Sequence, residues 1–365
     1  MRLTNIITAA VAATVLLTAT VGHAANKWGL KPSTVSLKSA GSLTFGPDGI
    51  LLIGDAKAAT IYAISTGDAS GSVSEAKLNV ENLNSKVAKA LGSKSTINDL
   101  AVNPESGNVY LSVTAGGTGT ILKVDQSGAV SKVNLNKVLS SKAVLSNPPA
   151  DKVVKRGRRS RNARDDAITD IVYIEGKVIV SGLTNDPKAS SVIREFAFPF
   201  SDSHGGFAIE IYHGAHGRYE TGSAVRAFVP FTIDGEPSLL AGFTCTPLVK
   251  FPLGVAKKKS VRGTTVAELG NRNRPLDMIV YKKDGKDFVL MANSARGVMK
   301  ISTADLDRST GITERVSGGG TAGQKYETIE SLVGVIQLDK LNAENAIILV
   351  QNKNGSQDLR TISLP

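Results

Sequence analysis

Three of the four histidines in the 365-residue chain fall within thirteen residues of one another, at His204, His213 and His216. His213-Gly214-Ala215-His216 sets two imidazoles three positions apart, with a glycine between them that allows close approach. Neutral imidazole is the commonest protein metal ligand, and two nearby ring nitrogens can chelate one ion. The single cysteine, Cys245, ends a short apolar strand in the next segment of the chain. A metal set of His213, His216 and Cys245 would suit copper or zinc, with copper favoured by the soft sulfur ligand. Met278 and Met291 lie close enough in sequence to add thioethers. The plainer reading is that HxxH is common in loops and that a lone Cys in a strand is a small buried hydrophobe.

A second set is acidic. Asp99, Asp170 and Asp277 each stand at the start of an apolar stretch, and Arg226 takes the comparable place in a fourth. Such aspartates often bond local backbone, which is the structural role. Drawn together instead, they would hold a cation, and Asp170 or Asp277 would serve as a catalytic base. A third set is basic. Asn271-Arg272-Asn273-Arg274 precedes one apolar stretch, and Asn293 and Arg296 follow the next. Arg272 and Arg274 are the candidates for orienting an anionic substrate, since a guanidinium clamps a carboxylate or phosphate with two parallel bonds. Asn98, Asp99, Arg218, Glu220, Arg226, Asn293 and Arg296 complete the candidate ligand-binding residues. Paired with Glu220 and Asp277, the same arginines would instead form ion pairs. No GxSxG elbow, Walker loop or strand-to-helix GxGxxG is present.

The elements that must position these residues repeat. Ile97–Asp125, Ile168–Phe196 and Pro275–Ile301 each read as an apolar strand, a Gly-containing turn, a second apolar strand, a polar loop and a third strand. Ser42–Ile64 repeats the unit around Gly46-Pro47-Asp48-Gly49, and Ser223–Phe251 repeats it around Ile233-Asp234-Gly235-Glu236-Pro237. Tyr326–Leu364 is the most divergent copy. Copies beginning near residues 42, 97, 168, 224, 275 and 326 predict one blade each of a six-bladed β-propeller. Stacking sheets radially buries both faces of strands too short to bury themselves. The expected class is therefore all-β, with a β-sandwich pair as the fallback. Leu83, Val87 and Leu91 at spacing four, followed by Gly92, predict a short inserted helix over Glu81–Leu91. Ser140–Asp166, with Pro148-Pro149, is expected to be a long basic loop crossing one face.

The turn-then-strand pattern resembles NHL-repeat, SMP-30/gluconolactonase and YVTN-type six-bladed propellers. That resemblance implies a fold rather than a chemistry. It implies that first strands line a central channel and that the loops entering them surround one mouth, the default ligand site, where Cys245 would approach His213 or His216. The aspartates would then resemble the SMP-30 arrangement, in which acidic and Asn ligands hold a divalent cation on the axis, a hard-ligand site suited to calcium. That family places a Glu at the first blade's entry, where this chain has Ser42.

Charge and the amino terminus narrow the setting. Met1–Ala24 has Arg2, an apolar run over Ile6–Val21 and Gly22-His23-Ala24, and reads as a cleaved signal peptide ahead of a single propeller over 25–365. The mature protein is expected to be periplasmic or secreted and not membrane-spanning. One Cys excludes an internal disulfide framework, and no CxxCH is present for covalent haem. Lys and Arg number 43 against 32 Asp and Glu, a formal charge of +11. Seven basic residues crowd Lys152–Arg164, and Lys257-Lys258-Lys259 forms a second cluster. Export and the lack of interleaved aromatics argue against nucleic acid as the partner. Three functions follow. One is an exported metal-dependent enzyme, using copper or zinc on a small anionic substrate. The second is a non-catalytic propeller that binds a small ligand or a periplasmic protein. The third is a calcium-dependent lactonase of the SMP-30 kind.

Overall fold

The computed structural model describes residues 27–365 apart from 70, 158, 202, 203 and 255–257. The expected signal segment, Arg158 and Lys257 lie outside the described residues. The repeats fold as six sheets arranged as a β-propeller, antiparallel except where Ser260–Arg262 runs parallel to His204–His213 in blade 3. In chain order the innermost strands are Leu43–Phe45, Ser95–Val102, Asp170–Ile174, Val225–Ile233, Pro275–Lys283 and Val335–Lys340. They define blades 1 to 6.

Both faces of the middle strands are apolar because each sheet packs between two others. Ile50, Leu51, Leu52 and Ile53 are consecutive and all fully buried. Leu52 joins a cluster with Ile171 and Val180 of blade 3, while Leu51 joins Tyr110 and Ile121 of blade 2. One such cluster fills each of the six interfaces. Burial of each large aliphatic side chain stabilises by roughly 1.5–3 kcal/mol, so these wedges are the main cohesive element of the ring.

The blades do not follow the chain around the ring. Inner strands touch in the order blade 2, blade 1, blade 3, blade 4, blade 5, blade 6 and back to blade 2. Blade 1 stands between blades 2 and 3, although its first three strands come first in the chain. Its fourth strand, Val138–Val144, arrives only after blade 2 and pairs with Thr60–Ser65. Asn79–Val80, which follows the third strand of blade 1, instead adds the outer strand to blade 6. Blade 4 likewise takes its outer strand, Thr321–Gly323, from beyond the first three strands of blade 5, and blade 3 takes Ser260–Arg262 from the blade 4 segment, so distant segments complete four of the sheets and lock the ring shut.

Three expectations change in detail. Blade 6 starts at Val335, not near 326, because Tyr326–Thr328 pairs with Gly297–Ser302 as the outer strand of blade 5. The segment read as a long basic loop, Ser140–Asp166, begins inside the Val138–Val144 strand. Its basic run forms a two-stranded hairpin, Val153–Arg156 against Arg159–Asn162. Gly157, at φ 60°, supplies the left-handed backbone of the hairpin turn. The inserted helix α1 spans Leu83–Leu91 and buries Leu83 and Val87 between blades 2 and 6. Gly92 ends it in the left-handed conformation, its N–H bonding back to Ala88 and Lys89 carbonyls. No helix among the described residues is long and apolar enough to cross a membrane.

Candidate functional site

The structure divides the candidate residues between two places. The first is the central channel, a cavity of about 560 Å³. Asn98, Asp99, Asp170, Arg226 and Asp277 line it, together with Asp166, Gln337 and Asp339. Four of the channel aspartates each join two blades. Asp99 Oδ2 accepts the Leu43 N–H at 2.8 Å, and Asp170 Oδ2 accepts that of Phe228 at 2.8 Å. Asp277 Oδ2 accepts the Leu338 N–H at 2.9 Å, and Asp339 Oδ2 accepts that of Val102 at 2.7 Å. The interface of blades 1 and 3 has a different tie, Ser42 Oγ donating to Thr169 O at 3.0 Å. In Asp170, Asp277 and Asp339 the other carboxylate oxygen takes the N–H of the residue that follows.

Burial in this wall disfavours the charged carboxylates. Asp170 is pushed up to about 7 and Asp339 to about 6, with burial the largest cause in each. Asp99 and Asp277 are raised well above the usual carboxylate range, by burial first and then by the charges of the other channel aspartates. At one mouth Asp166 lies between two guanidiniums. Its Oδ1 accepts from Arg226 Nη1 at 2.8 Å, and its Oδ2 accepts from Arg161. Asn98 donates to Ala40 O and Thr114 Oγ1, so its amide also stitches strands.

The second place lies off the axis, between the outer strand of blade 3 and blade 4. His213 ends the blade 3 strand His204–His213, and the chain turns back at once into Arg218–Glu220. Gly217, at φ 66°, permits that reversal, with its N–H bonding to His213 O at 2.8 Å. None of His213, His216 or Cys245 lines the central channel. The expected position at the channel mouth is therefore corrected: the HxxH turn closes a fourth strand instead of leading straight into a first one.

The hairpin puts both imidazoles on one carboxylate. Glu220 Oε2 is 3.1 Å from His213 Nδ1, and Glu220 Oε1 is 2.8 Å from His216 Nδ1. The two rings lie 3.8 Å apart, centre to centre. Arg218 Nε and Ser223 Oγ also donate to Glu220. Burial works against the Glu220 charge, but hydrogen bonds from Ser223, His216 and His213 together bring it down to about 2. An ionised carboxylate only accepts, so the Nδ1 atoms carry the protons and Nε2 is the nitrogen each ring directs away from Glu220. His213 is almost fully buried, and its Nε2 has no hydrogen-bond partner. Burial is the largest cause that pushes the His213 pKa down, aided by the charges of His216 and Arg218 and opposed by Glu220. The ring is neutral at pH 7.

Cys245 reaches this pair from the turn between the second and third strands of blade 4. One donor atom from each of His213, His216 and Cys245 lies within 4.8 Å of the others. Cys245 and Thr246 both have left-handed backbone, at φ 64° and 48°. Side chains with a Cβ adopt that backbone only at a cost, and β-branched Thr most of all, so Cys-Thr there is strained. Cys245 N–H to Asn273 O at 2.7 Å and Thr246 Oγ1 to Gly270 O at 2.8 Å hold it in place. Behind the HxxH turn, buried Glu268 accepts the Gly214 N–H at 2.5 Å and fills the space that a side chain at 214 would need. Burial first, and then the Glu220 charge, raises Glu268 to about 7 despite the N–H groups of Gly214 and Ala215.

The remaining candidates have other surroundings. Arg272 and Arg274 are exposed, and Arg274 is fixed through its backbone, its N–H to Ser294 Oγ at 2.9 Å. Asn293 Oδ1 caps its own turn by accepting the Ala295 and Arg296 N–H groups. Arg296 lies against Gly270 and donates to Asn271 O at 3.4 Å. Met278 and Met291 are core residues of the blade 4–5 cluster, not thioether donors to the His pair. His204 stacks on Phe196. Among residues not singled out from sequence, Glu268 was readable as an acid within the apolar Val266-Ala267-Glu268-Leu269. Asp339 was readable as the counterpart of Asp277, each following a Leu.

Comparison with known proteins adds little beyond the fold. No protein-family model matches the chain, and no curated protein matches it. Among solved structures, the plexin A4 extracellular region aligns over 92% of this chain and 40% of its own, at 11% identity and a TM-score of 0.43. The chain thus spans well under half of that protein. A PQQ-bound aldose sugar dehydrogenase from Streptomyces coelicolor aligns over 91% of this chain and 96% of its own, at 11% identity and a TM-score of 0.33. Chaetomium thermophilum Raptor aligns over 92% of this chain and 25% of its own, at 11% identity and a TM-score of 0.36.

Proposed function

We propose that this chain is an exported metal-binding propeller whose working centre is His213, His216 and Cys245. The supporting observation is the buried Nε2 of His213. It has no protein partner and belongs to a donor set gathered within 4.8 Å. A buried polar atom left unpaired costs stability, and a bound ion would remove that cost. Glu220 supplies the carboxylate that metal-ligating histidines commonly hold on their other nitrogen, where it fixes the tautomer and raises ligand basicity.

Two imidazoles and a thiolate favour copper, with zinc next. Metal binding would displace the Cys245 thiol proton, so affinity rises with pH until the thiol is ionised. Three protein ligands leave a position open, as catalytic sites do and closed structural sites do not. Half-exposed Cys245 and exposed His216 give that position access to solvent. Exposed Arg218, on the same hairpin, favours a small anionic substrate there. Calcium on the axis is the weaker reading, because Asp99, Asp170, Asp277 and Asp339 each already give one oxygen to a neighbouring blade.

The test is elemental mass spectrometry on untagged protein purified from its native compartment, followed by competition titration with copper(I) and zinc. One copper or zinc per chain is expected, with loss of binding in both H213A and H216A. Full retention in both variants, or failure to load either metal on reconstitution, would overturn the reading.

A further inference from the structure

A cavity of about 690 Å³ opens on the side of blade 3 that faces blade 1. It shares no lining residue with the central channel and includes none of His213, His216 and Cys245. The register of blade 3 explains the space. Arg194 stands opposite Gly206 and Val192 opposite Ala208, so small residues face a large one across paired strands. A Cβ at Gly206 would come within 2.5 Å of Ile193 O.

Arg194 lines this cavity and is only 6% exposed. Its Nη2 donates to Leu183 O at 3.0 Å and its Nη1 to Ala167 O at 3.4 Å. Two carbonyl bonds leave three of a guanidinium's five N–H donors for another acceptor. Among the described residues no carboxylate pairs with it. Its sequence neighbour Glu195 is held by Lys177 at 3.0 Å. Asp186, the acid in the cavity wall, caps its own turn through the Lys188 N–H. Burial, with no compensating acid, lowers Arg194 to about 10. A buried charge without a counter-charge is costly. A second cation, exposed Lys259, lies at the rim, and Thr184 and Ser260 add hydroxyls to the wall.

We propose that this cavity binds a small oxyanion, a carboxylate or phosphate group, seated on the Arg194 guanidinium with Lys259 at the entrance. The planar guanidinium matches two oxygens of either group in parallel, whereas neutral ligands leave its charge uncompensated. The site is separate from the metal centre and stands or falls independently of it.

Isothermal titration calorimetry on the full mature chain, in a buffer free of competing oxyanions, tests this with inorganic phosphate, sulfate and acetate in separate arms. Saturable binding of one ion per chain is expected in at least one arm, weakening as sodium chloride rises. Phosphate or sulfate binding without acetate identifies a phosphoryl-type ligand, and acetate binding identifies a carboxylate. Arg194→Met should abolish the signal. Because that variant alters a buried residue, Lys259→Glu at the exposed rim serves as the second probe, with an expected loss of about tenfold in affinity. No saturable heat in any arm, or unchanged binding in Lys259→Glu together with a folded Arg194→Met, overturns the proposal.

Discussion

His213 Nδ1 lies 3.1 Å from Glu220 Oε2, and that contact determines which face of the imidazole remains open. The carboxylate accepts the hydrogen bond from Nδ1–H, so Nε2 is the nitrogen directed away from Glu220. The other oxygen of Glu220 does the same for His216 at 2.8 Å. Replacing Glu220 with Gln leaves one carbonyl oxygen for two Nδ1 donors. The expected outcome for E220Q is metal affinity reduced by about 10- to 100-fold with the fold intact. Competition titration against a chelator of known affinity, alongside a melting curve, checks both halves.

The Cys245–Thr246 turn predicts a trade between stability and binding. Two successive non-glycine residues in left-handed backbone cost of order 1–3 kcal/mol each. Asn tolerates that backbone better than Cys. C245N is therefore expected to raise the melting temperature of the metal-free protein and to remove the sulfur from the metal set. C245S keeps the backbone strain, so it should lose copper affinity without gaining stability. If both variants melt like the parent, the turn carries no strain of consequence.

Blade identity was legible from the repeats because each copy carries its own turn residues and its own apolar strands. Ring order was not. Every interface uses the same kind of aliphatic wedge, so nothing local distinguishes Leu51 facing blade 2 from Leu52 facing blade 3. The part of Val138–Val144 from Ser140 onward reads as loop because Ser140, Ser141 and Lys142 dilute its apolar pattern. It is a strand because the edge of Thr60–Ser65 is left unpaired by the early departure of the chain. The grouping of His213, His216 and Cys245 was legible by type and spacing, but its position was not. A turn after a fourth strand and a loop before a first strand look alike in sequence. Asp339 was missed because the sixth copy was set to begin at 326, which put it out of phase with Asp277.

Ring closure depends on the segment between blades 1 and 2. Asn79–Val80 pairs with Leu359 and Arg360, and Asn82 N–H donates to Asp358 Oδ1 at 3.0 Å. Directly after it, α1 buries Leu83 between blades 2 and 6. Leu83 is fully buried, so Leu83→Ala should cost about 2–5 kcal/mol. The loss should be accompanied by faster amide exchange in Gln357–Ser363, the blade 6 strand that Asn79–Val80 covers. Hydrogen exchange read by mass spectrometry tests the location of the effect as well as its size. Uniform loosening of all six blades would contradict a closure role.

The channel aspartates and Glu220 give opposite pH dependences. Folding raises Asp170 to about 7 and Asp339 to about 6, and raises Asp99 and Asp277 well above the usual range. The folded chain therefore binds more protons than the unfolded chain from roughly pH 4 up to these raised values. Stability from this group is full below the unfolded carboxylate range and is lost as pH rises through the folded values. Glu220, brought down to about 2, stabilises above its ordinary range and loses that contribution as pH falls toward 2. The folded state is thus expected to be more stable at pH 5 than at pH 8, and to weaken again below about pH 4. D170N removes one of the raised groups, so its stability should fall less steeply between pH 5 and pH 8, whatever it loses in the bond from the Phe228 N–H. Urea denaturation at a series of pH values measures the slope directly. A parent protein whose stability rises from pH 5 to pH 8 would show that the channel carboxylates stay ionised in the folded ring.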